Sequence, residues 1–418
     1  MSARNEGLIA ALDVGSAKVA CLIAEIGPSG QITVKGVGNR ACHGVSAGAV
    51  IDMAETEKAI RASVDQAERM AGATIADVVL SFSGGDPRSA VIEAEIEIGG
   101  HAVAEADVIQ VVNKARSDFD PGDASILHAV PAAYSLDGNY SPHPPVGMYG
   151  KKLGVALHIV TCDDGPLRNL EACVRRAHLN VADVVLAPYA AGLATLVEDE
   201  AKMGAASIDI GGGTAGISVF AQGALVHSEV VPIGGSHVTE EVARALLTPF
   251  EHAERLKTFN GSALPDQMDN KVEIEVPQVG ETDRETSFAR MPRSALNHVV
   301  QRELETLFAT VGDRLDASGF GGVSGRRVVL SGGVAQTEGV RELAAAVLGR
   351  QVRIGRPTLV GGLPAAAQSP SFATAVGMLI HTARMQRHGR QKSKNWRTAG
   401  TKPKGTIAKL VYWIRENF

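Results

Sequence analysis

The chain has 418 residues, 45% of them apolar and 21% charged, enough for more than one buried core and unlike a disordered or fibrous protein. Its four cysteines, Cys21, Cys42, Cys162 and Cys173, form no Cys-x-x-Cys pair and have no histidine at zinc-ligand spacing, which argues for reduced thiols in the cytoplasm and against a disulfide scaffold or zinc site. The net charge of −5 divides unevenly, with +9 on residues 384–418 and −14 on residues 1–383, so the body is a poor nucleic-acid binder and the basic end must be read by itself.

From the start, residues 8–26 read as a buried apolar strand, a tight Gly/Ser turn and a second apolar strand. A helix is expected at 53–70. Residues 84–160 carry an alternating run from Val91 to Ile98 and a proline-rich loop at 140–149, as an inserted subdomain would. A helix follows at 167–179. Residues 207–220, SIDIGGGTAGISVF, then repeat the opening hairpin: aligning Asp13 with Asp209 also aligns Gly15 with Gly211, 196 residues on. The duplication predicts two equivalent lobes, each opening on a hairpin. The strand 225–233 leads into Gly234-Gly235 and a helix at 238–247. Residues 267–290 are polar apart from Val272 to Val276, helices are expected at 296–311 and 339–348, and VVLSGG at 328–333 reads as a strand running into a glycine pair. Strands alternating with helices make this an α/β body.

Both hairpins have the form apolar-Asp-apolar-Gly with small residues in the turn, Gly15-Ser16 in the first and Gly211-Gly212-Gly213 in the second. Such turns expose successive backbone N–H groups, and two in the same register can grip a triphosphate from both sides. Asp13 and Asp209 would sit in the cleft and orient the waters of Mg²⁺, which keeps much of its hydration shell. Lys18 and Thr214 read either as a cation and a hydroxyl for the phosphates or as solvent-facing strand residues. Gly332-Gly333 allows a flat base to lie on the backbone, or is an ordinary strand-to-helix turn. Glu254 and Lys257 read either as ribose and base contacts or as an i,i+3 surface pair. Gly235 opens a helix whose N-terminus suits an anion.

Phosphate hairpin, second hairpin and Gly-Gly turn, in this order, resemble the actin, sugar-kinase and heat-shock-chaperone ATPase superfamily. Within it the chain is similar to the FtsA family of bacterial cell-division proteins, through VPIGGSHVTEEVA at 231–243, the segment around Glu254 and Lys257, VVLSGGVAQTEGV at 328–340, FATAVGML at 372–379 and the C-terminal segment. The resemblance implies an actin-like two-lobed ATPase fold with small-residue connecting helices around 189–194 and 373–377. It divides the chain into a lobe 1 core at 1–83 with 161–190 and 365–383, an FtsA-type insertion at 84–160, a lobe 2 core at 191–235 with 311–364, and an outer lobe 2 subdomain at 236–310. It also implies a chain that binds ATP, polymerises with itself, tethers FtsZ to the inner face of the cytoplasmic membrane through the FtsZ C-terminal peptide, and recruits later division proteins. Arg293 and Arg302 match basic positions where that acidic, apolar peptide would dock; an amphipathic core helix with solvated arginines is the other reading.

The C-terminal end points to lipid without help from the resemblance. Residues 384–404 hold eight basic and no acidic residues, the composition of a solvated linker. In 405–418, GTIAKLVYWIRENF, the residues Ile407, Leu410, Val411, Ile414 and Phe418 form one helical stripe, with Trp413 at its edge. At about 21 Å such a helix is expected to lie in the interface of anionic membrane lipids and not to span them; a terminal helix docked on the body is the other reading, disfavoured by the basic linker between them. No longer apolar stretch and no secretion signal is expected elsewhere. Nothing in the sequence marks a catalytic carboxylate beside an acceptor hydroxyl, so ATP hydrolysis is expected to be slow or absent; a soluble small-molecule kinase of the same superfamily is the alternative.

Overall fold

The computed structural model describes residues 7–280, 288–322 and 326–387. The apolar stripe expected to meet lipid, Ile407, Leu410, Val411, Trp413, Ile414 and Phe418, and nearly all of the expected linker, lie outside the described residues. Two five-stranded sheets repeat one topology. In the first, Leu8–Val14 pairs antiparallel with Lys18–Ile26, which pairs with Ile32–Ala41, while Asp77–Phe82 and Asn180–Leu186 extend the other edge in parallel. In the second, Ala205–Ile210, Ala215–Ala221 and Ala224–Val231 form the meander, and Arg327–Ser331 and Gln351–Ile354 are the parallel strands. The strands read as near-continuous apolar runs because their faces are covered by helices. Met53–Ala71 covers the first sheet, started by Asp52, whose carboxylate accepts from the N–H groups of Ala54 and Glu55.

Two helices exchange between the lobes. Ala187–Thr195 leaves the first sheet and packs on the second, while Ala373–Arg387 returns from the second lobe to the first. They cross in backbone contact: a Cβ at Gly377 would overlap the Ala190 carbonyl and lie 2.9 Å from the Ala190 Cα. The second helix continues to Arg387, a few residues into the segment expected as linker.

Other boundaries moved for tertiary reasons. The helix expected at 167–179 ends at Arg176, because His178 takes a left-handed φ of 65° and turns the chain into the strand Asn180–Leu186. The helix expected at 296–311 runs the length of Arg293–Ala317. The polar stretch before it holds the strand Glu273–Pro277, paired with Phe288–Pro292.

Residues 88–163 add a four-stranded sheet in the order Arg88–Glu97, Lys152–Asp163, Ala124–Leu136, Asn139–Ser141, with the helix Glu105–Ser117 on one face and a core of its own that includes Val111, Ala115, Leu153 and Leu157. This sheet is seated against lobe 2. Ala132, Ala133 and Ala156 join the lobe 2 core, and Ser89 donates to the Ser228 carbonyl at 2.6 Å while accepting from its N–H at 3.0 Å. Behind Ser89 lies His158, fully buried, with Nε2 3.1 Å from the serine hydroxyl and Nδ1 without a partner among the described residues. Burial pushes its pKa down to about 3. The unfolded chain takes up that proton near pH 6.5 and the folded chain does not, so stability falls on acidification below about pH 6.5, at about 1.4 kcal/mol per pH unit for this ring. Replacing His158 with Gln is expected to flatten the wild-type dependence of unfolding free energy between pH 6 and 4.5 by that one-proton slope; denaturant melts at a series of pH values read it directly.

Candidate nucleotide site

The two hairpin turns are equivalent. Gly15 N–H donates to the Lys18 carbonyl at 2.9 Å, and Gly211 N–H to the Thr214 carbonyl at 2.9 Å. They face one another across the junction of the lobes: a Cβ on Gly212 would lie 2.9 Å from that of Ala17, and one on Gly213 would be 2.8 Å from the Ala47 nitrogen and overlap the Ser16 hydroxyl. Gly15, Ser16, Gly211, Gly212, Gly213 and Thr214 are thus brought together, with Thr214 Oγ1 also 3.4 Å from Ser83 Oγ.

Two residues before the first glycine of each turn stands an aspartate. Asp13 Oδ1 accepts from the Ser81 hydroxyl and Asp209 Oδ1 from the Ser331 hydroxyl, both at 2.7 Å. Asp209 Oδ2 also accepts from Thr374 Oγ1 at 3.2 Å. Burial raises the pKa of both acids, taking Asp209 up to about 6, against the hydroxyl donors and Lys18, which pull down. Burial also lowers Lys18 to about 8, opposed by the charges of Asp13 and Asp209. Lys18 therefore lies in the field of both acids, with Nζ 3.1 Å from Ser371 Oγ and 3.7 Å from the centre of the Phe372 ring. This oxygen-only donor set, two carboxylates whose charge burial disfavours, suits a hard divalent cation that would hold them ionised, as Mg²⁺ does.

The Gly-rich turns beyond the hairpins close in on the same place. Gly235 N–H donates to the Gly211 carbonyl at 2.9 Å, tying its helix start to the second turn. Glu254 and Lys257 are more than a surface pair. Lys257 Nζ donates to Glu254 at 2.6 Å, to Thr239 Oγ1 at 2.6 Å and to the Gly235 carbonyl at 2.9 Å, and burial depresses its pKa against the pull of Glu254. The two glycines at 332–333 differ. Gly332 has φ 87° and its Cβ would overlap the Ile210 carbonyl, so its own fold requires glycine, whereas Gly333 is exposed with open space around it.

Ser81, Ser331 and Thr374 escaped the sequence reading. Their trace was present: the tetrapeptide VVLS occurs at 78–81 and again at 328–331, on the parallel strand beside each hairpin.

The two candidate partner arginines are separated. Arg293 turns inward, its Nε 2.8 Å from Asp269, which is 1% exposed and also accepts from Asn297 at 2.7 Å. Nine residues along the same helix rotate about 900° around the axis, so Arg302 points to the opposite side. There it is exposed and lines a shallow depression with His298, Val299, Gln301 and Glu305.

Residues 206–377 match the family model for cell division protein FtsA, and residues 84–161 match that for the SHS2 domain inserted in FtsA. A cell division protein FtsA of Rhizobium meliloti (strain 1021) is 41% identical over 430 aligned positions, covering 100% of this chain and 96% of the relative. The chain belongs to the FtsA family of cell-division proteins. Solved structures share its actin-like two-lobed fold. The type IV pilus PilM–PilN complex aligns with a TM-score of 0.63 at 16% identity, covering 91% of this chain and 99% of that one. MreB5 of Spiroplasma citri, solved with ADP bound, aligns with a TM-score of 0.54 at 13% identity over 93% and 100%. Among the described residues no helix is long and apolar enough to cross a membrane.

Proposed function

We propose that this FtsA-family chain binds ATP with Mg²⁺ between its lobes, polymerises, and tethers FtsZ filaments to the inner face of the cytoplasmic membrane, recruiting later division proteins there. The observation that carries the nucleotide part is the pair of equivalent turns facing one another, each preceded by a hydroxyl-held aspartate, with Lys18 in the field of both acids. The MreB5 structure bound to ADP supports the same reading for a related fold. Backbone N–H groups within the two turns, those of Ser16 and Ala17 and of Gly212 and Gly213, would hold the phosphates, Lys18 would add a cation, and Thr214 a hydroxyl. Gly333, with open space around it, would leave room for the base, and Glu254, tied to the Gly235 turn through Lys257, would meet the ribose. The metal, when bound, neutralises phosphate charge; Asp13 and Asp209 orient its waters. Turnover is expected to be slow, with nucleotide acting mainly to hold the lobes in one arrangement.

The C-terminal segment supplies the membrane contact. Each Lys or Arg near an anionic leaflet contributes roughly 1 kcal/mol, and each large apolar side chain roughly 1.5 to 3 if fully buried, before the cost of ordering the helix. A single tail binds reversibly, and many tails on one polymer bind firmly. Sedimentation of the full chain with anionic vesicles, with and without ATP, tests the reading. The full chain is expected to pellet, more strongly with ATP; deletion of 405–418 is expected to abolish pelleting and leave nucleotide affinity intact. A full chain that stays in the supernatant refutes the tether, and one that turns over a small-molecule acceptor at the rate of a metabolic kinase refutes the scaffold.

A further inference from the structure

We propose that Ser81 and Ser331 are positioning residues that aim the two cleft carboxylates for a hydrated Mg²⁺, and that the first lobe depends on its serine more than the second does. The inference rests on the nucleotide reading above and names which hydroxyls make that site responsive to the metal.

The two serines occupy matching places. Each ends a VVLS run on the parallel strand beside a hairpin, each is buried, at 2% and 0% exposure, and each donates to Oδ1 of the aspartate next door at 2.7 Å. A buried hydroxyl costs desolvation that alanine would avoid, so the fold gains from it only through the bonds it makes. Ser81 makes two, accepting from the Val14 N–H at 3.2 Å while donating to Asp13. It links the backbone of the first turn to the carboxylate that precedes it. A carboxylate that contacts a metal through water has to be fixed in direction, since the water transmits orientation only if its acceptor stays still.

The lobes are not equal in this respect. Asp209 keeps a second donor, Thr374 Oγ1 at 3.2 Å on Oδ2, from the helix that crosses back to the first lobe. Ser81 is the hydroxyl that holds Asp13. Removal of Ser81 therefore frees Asp13 to rotate, whereas removal of Ser331 leaves Asp209 held at one oxygen.

The test compares the affinity for a fluorescent ATP analogue in Mg²⁺ and in EDTA, taking the ratio as the metal's contribution. For Ser81→Ala the ratio is expected to fall about tenfold, with affinity in EDTA unchanged and Ser81→Thr restoring most of the loss. Ser331→Ala is expected to lose less, and the double variant Ser331→Ala/Thr374→Val as much as Ser81→Ala. Thermal melts check that each variant is folded; should Ser81→Ala not fold, the Ser331 single and double variants decide the matter. A ratio unchanged in both Ser81→Ala and the double variant overturns the proposal, as does an equal loss of affinity in EDTA, which would mark the hydroxyls as structural. A wild-type chain that binds no adenine nucleotide removes the underlying reading instead, and this inference with it.

Discussion

Gly377→Ala is expected to destabilise the chain by more than about 4 kcal/mol, although helix propensity alone predicts a gain of about 1 kcal/mol for alanine over glycine inside a helix. The opposing effect is steric. The new methyl would overlap the carbonyl of Ala190 on the other connecting helix, which is backbone and has no rotamer through which to retreat. Relief requires the helices to part by at least about 1 Å along a crossing whose neighbours are packed at crystal-like density. Ala190, Ala191, Ala375 and Val376 are all buried there, so separation opens a void on both sides of the crossing. Because these helices exchange between the lobes, the distance between the two hairpin turns changes with them, and affinity for the proposed nucleotide is expected to fall together with stability. Denaturant unfolding and ATP titration of the same variant measure both; a stabilised G377A would show that the helices have room to spare.

The parts of this architecture that were legible are those written in short-range pattern. A hairpin needs two apolar runs and a permissive turn, and residues 8–26 and 207–220 hold both, so the duplicated sheets followed from local composition and one alignment. The boundary at Arg176 was illegible because Leu179 continues the apolar spacing of the helix while His178 breaks its backbone, and a left-handed histidine leaves no mark in hydropathy. Glu254 and Lys257 stayed ambiguous for a different reason. Their i,i+3 spacing is the same on a surface and in a network, and what distinguishes the two is Thr239 and the Gly235 carbonyl, supplied by another helix. Ser81 escapes local pattern because only the VVLS at 328–331 stands beside a glycine pair that marks it, while its twin at 78–81 carries no such mark and meets Asp13 across 68 residues.

The arginines of the outer subdomain provide the other large effect, and it separates a structural role from a binding one. Arg293→Ala is expected to cost about 2 kcal/mol of stability, and Arg302→Ala less than about 0.5. Arg293 lies over Asp269, whose side chain is 2% exposed and whose pKa is held down first by the Asp266 N–H, then by Asn297 and Arg293. Through Asn297, which accepts from the Ser262 N–H at 2.8 Å, the same carboxylate ties the start of the long helix to the turn at 262. Loss of Arg293 uncovers that acid. The carboxylate keeps the Asp266 N–H and the Asn297 amide as donors, so the penalty stays below the 3 to 5 kcal/mol that breaking a deep ion pair costs. Arg302 is 64% exposed, bonded to its neighbour Glu303, and free to turn toward an acidic peptide. Peptide binding should therefore weaken in Arg302→Ala with an unchanged melt, whereas Arg293→Ala, still largely folded after a loss of that size, should keep its affinity. A full-affinity Arg302→Ala would move the docking surface off this face of the helix, and an Arg293→Ala that loses peptide while keeping its melt would show that the inward arginine turns outward to bind.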